Sequence, residues 1–343
     1  MINAQADKTL FDKTQCGAMA LKNRFIRAAV GDDSSNGYVN DDMLDLYEKI
    51  ARGGVGTIIT GYTLIDEAER SYNDILAFYD DSFFDGHKKL VDLARSYNVN
   101  IVLQLVYIGA HSSVAFHNRY KDLNDKITIL APSAIENVHT GVLPKEISVS
   151  EIKKIEQKFA AAALRAKEVG YSGVEIHAAH GFFLSQFMSP YYNRRTDQYG
   201  GSTQNMARIS LETYDAIRSA VGIDFTVWIK INVMDDNKVS VVFDDVLYLC
   251  KELTNKGINA IEISGSWRSV RTRGAYFQSE AEKIAELNDT AIILTGGNRD
   301  FNKMANILNQ TKIRYFGLAR PLIKEPNMIN IFEKEYKRRQ TND

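Results

Sequence analysis

Eight short apolar runs alternate with eight amphipathic stretches along this chain, and that alternation constrains the fold more than any other feature. The runs are 25–30, 56–60, 100–106, 173–177, 225–231, 260–264, 291–295 and 315–318. Each is rich in β-branched or apolar residues and bounded by Gly, Asn or Asp, which predicts strands. Their near-continuous apolar character fits strands buried on both faces, as in a parallel sheet. Between them, 42–52, 83–97, 150–170, 203–221, 244–256, 279–287, 301–308 and 327–337 carry apolar residues at helical spacing. The third of these has Ser150 as its expected cap and Gly170 as its stop. Strictly alternating strands and helices imply right-handed βαβ units. Eight units fit a closed α/β barrel of the TIM (β/α)8 type, with a doubly wound open sheet as the alternative.

A length of 343 residues is normal for one such barrel with insertions. The chain shows no internal repeat and no linker, so residues 1–343 read as a single domain. Two segments exceed ordinary loop length. Residues 7–20 precede the first strand and are expected to cap the barrel floor. Residues 107–149 follow strand three and are expected to lie over the catalytic face.

A formal net charge of −1, with 45% hydrophobic and 25% charged residues, points to neither a nucleic-acid partner nor a membrane partner. The basic run Lys337-Arg338-Arg339 reads as a solvated tail. Cys16 and Cys250 are too far apart in sequence to suggest a metal site or a disulfide framework. The N-terminus lacks the regions of a signal peptide, so a cytoplasmic location is expected.

In a barrel of this kind, chemistry collects at the C-terminal ends of the strands. Strand four ends in His177, with His180 three residues on. The sequence offers this pair no obvious carboxylate to complete a metal site. Two neutral imidazoles can instead donate N–H bonds to one oxygen as it gains negative charge. Gln104 lies inside apolar strand three, where a buried amide needs a partner. Either it is satisfied within the core, or it bonds a planar heterocycle. Lys230 lies between Ile229 and Ile231. It reads either as a Schiff-base nucleophile or as a cation beside a ligand's negative charge. Strand seven ends in Gly296-Gly297, and strand eight in Gly317-Leu318-Ala319-Arg320. Glycine-rich turns before helices at these two strand ends suit an anion, phosphate above all.

Four stretches carry a resemblance. "LKNRFIRAA", "LQLVYIGA", "GVEIHAAHGFFLSQFMSPYYNRRTDQYGGS" and "FGLARPLI" resemble the Old Yellow Enzyme family of FMN-dependent NAD(P)H oxidoreductases, in order, over about residues 8–330. The resemblance implies an FMN-binding TIM barrel. It places the backbone of Ala28 and Ala29 against the flavin, Gln104 on its pyrimidine edge, and Lys230 near N1 and O2. Gly297, Ala319 and Arg320 would form the phosphate site. His177 and His180 would bind a substrate oxygen. The implied reaction is ping-pong hydride transfer from NADH or NADPH to an activated alkene or quinone-like acceptor. The partners expected are therefore small molecules, and a homo-oligomer is compatible with the family.

The chain also departs from the family pattern. Phe182 stands where a proton-donating tyrosine is usual, and Gly31 where a threonine or cysteine is usual. Tyr107 and Ala110 replace a usual histidine and arginine. Tyr107, Tyr62 or water is then the expected proton source. A class I aldolase-type barrel using Lys230, or a flavin-binding protein without turnover, are the alternatives.

Overall fold

The computed structural model describes residues 8–31, 36–69, 75–112, 128–235, 241–265 and 274–341. Eight parallel strands form one closed barrel. They are β1 (Phe25–Arg27), β2 (Thr57–Ile59), β3 (Asn100–Val106), β4 (Gly173–Ala178), β5 (Thr226–Asn232), β6 (Ala260–Ser264), β7 (Ala291–Thr295) and β8 (Tyr315–Leu318). Each pairs in parallel with the next, and β8 closes the ring on β1, with Phe316 opposite Phe25. All seven residues of β5 and all six of β4 are buried, which is why these runs lack polar alternation.

Among the described residues, eight longer helices surround the barrel: α1 (Asp41–Arg52), α2 (Phe84–Ser96), α3 (Val149–Val169), α4 (Thr203–Val221), α5 (Phe243–Asn255), α6 (Gln278–Leu287), α7 (Phe301–Gln310) and α8 (Met328–Gln340). The sequence expectation for α3 needs one correction. Its cap is Ser148, not Ser150: Ser148 accepts from the Glu151 backbone, and Glu151 reaches back to the Ser148 N–H. Such a reciprocal pair satisfies two orphan donors, and losing an N-cap costs on the order of 1 kcal/mol. Gly170 ends the helix in the left-handed region, at φ 102°. β1 is also shorter than expected, ending at Arg27 instead of residue 30.

Before β1, residues Thr14–Cys16 and Met19–Leu21 form an antiparallel hairpin. Cys16, Met19 and Leu21 pack with Ile26, Val102 and Trp228 from the barrel interior. The segment after β3 carries a second small pairing, Leu130–Ala131 with Lys145–Glu146. Arg195 clamps it. One Arg195 nitrogen donates to the carbonyls of Pro132 (2.9 Å) and Ile147 (2.6 Å), and the others engage the Asp197 carboxylate. This segment is thereby tied to the chain leaving β4. Among the described residues, no helix is long and apolar enough to cross a membrane.

Candidate active site

A cavity of about 690 Å³ opens at the C-terminal ends of the strands. Ala29, His180, Lys230, Gly297, Ala319 and Arg320 line it together, although they come from β1, β4, β5, β7 and β8. Its size is within the range of small-molecule and cofactor pockets. Ala28, Gln104 and His177 are buried and are not among the residues that line it. The Ala28 N–H donates to Leu318 O at 3.1 Å, so only its carbonyl is left to face a ligand.

One end of the cavity is built from backbone. Gly296 and Gly297 adopt φ of 109° and 78°, the left-handed region that favours glycine. A methyl group at Gly297 would fall 2.7 Å from the Tyr276 ring and 2.9 Å from the Ala275 nitrogen. Asn298 fixes this loop against β8, donating to Leu294 O (2.6 Å) and Gly317 O (3.0 Å). At Gly317 a methyl group would lie 1.9 Å from Thr295 Oγ1, so β7 and β8 meet here only because no side chain intervenes. Arg320 stands beside this loop and can supply a cation.

The floor of the site is ionic. Lys230 on β5 lies opposite Glu262 on β6, and the Lys230 Nζ is 3.0 Å from the Glu262 carboxylate. Both are buried. A Schiff-base lysine has to present a free amine, so this ion pair favours the reading of Lys230 as a cation. Gln104 Nε2 donates to Glu175 at 2.6 Å, while Gln104 Oε1 is buried with no hydrogen-bond partner. An unpaired buried acceptor costs on the order of 1–3 kcal/mol and is a place for a ligand N–H.

The two histidines meet at right angles, with ring centroids 5.3 Å apart and planes at 84°. His177 Nδ1 accepts from the Ala179 N–H at 3.2 Å, which assigns its proton to Nε2. His180 adopts φ 58°, uncommon for a residue with a side chain. Its backbone N–H donates to Asn232 Oδ1 at 2.9 Å, and its Nε2 is 2.8 Å from Ser264 Oγ. A hydroxyl donating to that nitrogen leaves the His180 proton on Nδ1. Burial, the neighbouring His180 and Lys230 hold the His177 pKa well below the usual imidazole range. Burial and Lys230 bring that of His180 down to about 3. Both rings are therefore neutral N–H donors at physiological pH.

Aromatic rings wall the His177 side. Phe182 is 4.7 Å from His177 and 5.3 Å from Tyr62 between centroids. Tyr62 lies 3.5 Å from the position a side chain at Gly31 would take. Tyr107, in contrast, packs on Phe183 in the core and bonds Glu69, and burial followed by the Glu69 charge pushes its pKa far up. The proton source expected from Tyr107 is therefore not available from that residue.

The match to the NADH:flavin oxidoreductase / NADH oxidase family model runs over residues 9–339. The chain belongs to this family. It is 32% identical over 330 residues to a metal reductase of Desulforamulus reducens, covering 94% of this chain and 48% of that protein. It thus spans about half the length of that relative. It is 28% identical to an NADPH dehydrogenase of Bacillus subtilis, covering 93% of this chain and 92% of that one. Morphinone reductase, solved with tetrahydroNAD, superposes with a TM-score of 0.81 at 25% identity, covering 96% of this chain and 91% of that chain. The barrel of the Old Yellow Enzyme family, expected from the sequence, is the barrel observed.

The residues present fit the family's FMN. The unpaired Gln104 Oε1 suits a ring N–H, Lys230 suits the electron-rich edge of the pyrimidine, and the Gly297 cradle with Arg320 suits a phosphate. Reading the sequence missed Glu175, Glu262, Ser264, Asn232 and Asn298. For the two glutamates the signal was present: an ionisable residue within an apolar strand, the same anomaly that marked Gln104 and Lys230.

Proposed function

We propose that this chain is an FMN-dependent oxidoreductase that takes hydride equivalents from NADH or NADPH and delivers them to an activated alkene or quinone-like acceptor. The observation that carries this reading is the single cavity shared by Lys230, Gly297, Arg320 and His180. FMN, when bound, supplies reversible acceptance and donation of hydride. Gly297, Ala319 and Arg320 would hold its phosphate, and Gln104 and Lys230 its pyrimidine edge.

The protein's own contribution is electrostatic. His177 Nε2–H and, with Ser264 donating to its Nε2, His180 Nδ1–H are neutral donors, His177 in a buried setting where bonds to developing negative charge are strongest. A substrate oxygen gaining charge would meet both. Because they are uncharged, their donation does not depend on pH near neutrality. Phe182 and Tyr62 place aromatic rings on the His177 flank. Donor and acceptor would occupy the same cavity in turn, which would give ping-pong kinetics.

Reduction of an alkene also consumes a proton at the second carbon. Phe182 has none to give and Tyr107 is committed to Glu69. Tyr62, with its ring 6.2 Å from His177, is the phenol placed to serve. A cytoplasmic, reducing location accords with Cys16 and Cys250, which are buried free thiols.

Anaerobic mixing with NADH or NADPH tests the reading. It should bleach the flavin band, and an enone or quinone should restore it. A flavin that no nicotinamide reduces would overturn it.

A further inference from the structure

Beneath the cavity, the barrel interior holds a linked set of ionisable groups that binding FMN alone does not require. Glu262 on β6 is opposite Lys230 on β5, and Glu175 on β4 is opposite Trp228, two residues earlier on β5. Gln104 donates to one oxygen of Glu175 at 2.6 Å, and the other, Oε1, has no donor in reach. Both oxygens of Glu262 likewise lack a hydrogen-bond partner, and Lys230 Nζ is the cation beside them. Glu262 faces Glu175, Thr295 and Lys230, with Lys230 Nζ at 3.0 Å. Burial, then the charge of Glu262, raises the pKa of Glu175 well above the carboxylate range. Burial would raise that of Glu262 too, but Lys230, Glu175 and Thr295 outweigh it and the net shift is downward. The pair therefore shares one proton, held on Glu175, and Glu262 keeps the single negative charge that balances Lys230.

The described groups facing this set are neutral. His177 and His180 lie above it on the β4 side, with His111 beyond them, and each is held below the usual imidazole range by burial first. β3 contributes Gln104, β7 contributes Thr295, and Ser264 ends β6. Arg27 of β1 points elsewhere, stacking over Tyr47 and donating to Ile59 O. Arg320 stands at the rim. The interior thus balances to zero charge with one carboxylate still able to accept a proton.

We infer that the Glu175–Glu262 pair is a proton reserve for Lys230: when a ligand gains negative charge beside Lys230, Glu262 takes up a proton, and the ammonium is released to the ligand. This rests on the FMN reading above. Two-electron reduction of the bound ring takes one proton onto the ring as hydride is delivered and leaves one negative charge. A second proton, from solvent, forms the O–H bond on Glu262, whose ion pair with Lys230 breaks as Lys230 pairs with the ring. Two electrons and two protons enter in all, one proton on the ring and one on the carboxyl pair. Glu175 and Glu262 act through Lys230 and are positioning residues. Without the reserve, Lys230 would stay half-neutralised by Glu262 when its charge is needed, a costly arrangement in a dry interior.

The test is the pH dependence of the midpoint potential of FMN-loaded protein between about pH 7 and 8, well above the ordinary glutamate range. A tenfold change in proton activity moves a two-electron couple by about 30 mV for each proton taken up. The wild type should show the slope of two protons. The E175Q/E262Q variant keeps the side-chain shape and should show the slope of one. A one-proton slope in the wild type, or a two-proton slope retained by the variant, would overturn the inference. Infrared difference spectra of the wild type on reduction give a second reading that needs no variant: a new buried carboxylic acid band is expected, and its absence contradicts the inference. Protein that binds no FMN would fail the site reading and this inference with it, whereas a one-proton slope in flavin-loaded protein removes this inference alone.

Discussion

Glu69 gives a quantitative prediction about the turn that follows β3. Its Oε2 accepts the backbone N–H groups of Ile108 (2.5 Å) and Gly109 (3.0 Å), fixing the turn where the chain leaves β3. The side chain is buried. That burial, opposed by the two N–H bonds and reinforced by Asp66, raises its pKa to about 8. In the unfolded chain the carboxyl titrates near 4.5. Between these values the folded protein holds a proton that the unfolded chain releases, so stability must fall as pH rises through the window. At pH 7 the separation is about 2.5 units, and at 1.36 kcal/mol per unit the cost is on the order of 3 kcal/mol. Glu69→Gln keeps an oxygen for both N–H groups and needs no proton. It should therefore be more stable than the wild type by about 2–3 kcal/mol near pH 7–8, with the advantage vanishing near pH 4. Denaturant midpoints at constant m value, measured for both proteins across that range, give the difference directly. A difference that does not change with pH, or a variant less stable at pH 8, would refute the reasoning.

Four further outcomes are expected. His177→Ala with His180→Ala should lower enone reduction at least about 10²-fold, while phenol binding weakens and FMN retention changes little; turnover and spectral titration measure these. Phe182→Tyr should speed alkene reduction if proton delivery limits the rate, with quinone reduction unchanged, as read by pre-steady-state reoxidation. Tyr62→Phe should slow alkene reduction and leave quinone reduction intact, and adding Phe182→Tyr should restore it. Gly297→Ala forces a methyl group onto Tyr276 in a left-handed conformation; strain of about 1–3 kcal/mol predicts FMN affinity weaker by roughly tenfold or more in fluorescence titrations.

The barrel was legible in the sequence because each strand is buried on both faces, which leaves a run of apolar residues with few interruptions. The interruptions that did occur, Gln104 and Lys230, marked the site for the same reason: a polar group in a dry strand needs a purpose. Glu175 and Glu262 are interruptions of that kind too. Their meaning was hidden because it lies in a contact across three strands, between residues 87 positions apart in the chain. The cap of α3 lies two residues before the one expected because Ser148 and Ser150 both stand at the helix start, and only Ser148 has Glu151 at the reciprocal position. The fate of Tyr107 could not be read locally. Its partner, Glu69, follows β2, and nothing near either residue announces the other. The clamp formed by Asn298 was hidden likewise, since it depends on how closely Gly317 lets β8 approach β7.

The central claim is that the barrel mouth between Gln104, Lys230 and the Gly297 loop is a flavin site. Titrating FMN into cofactor-stripped protein, while following flavin fluorescence and the visible spectrum, tests it most directly. The account predicts saturable binding of one FMN per chain with a perturbed absorption band, weakened roughly tenfold or more in Gly297→Ala. Flavin fluorescence that protein leaves unchanged would contradict it.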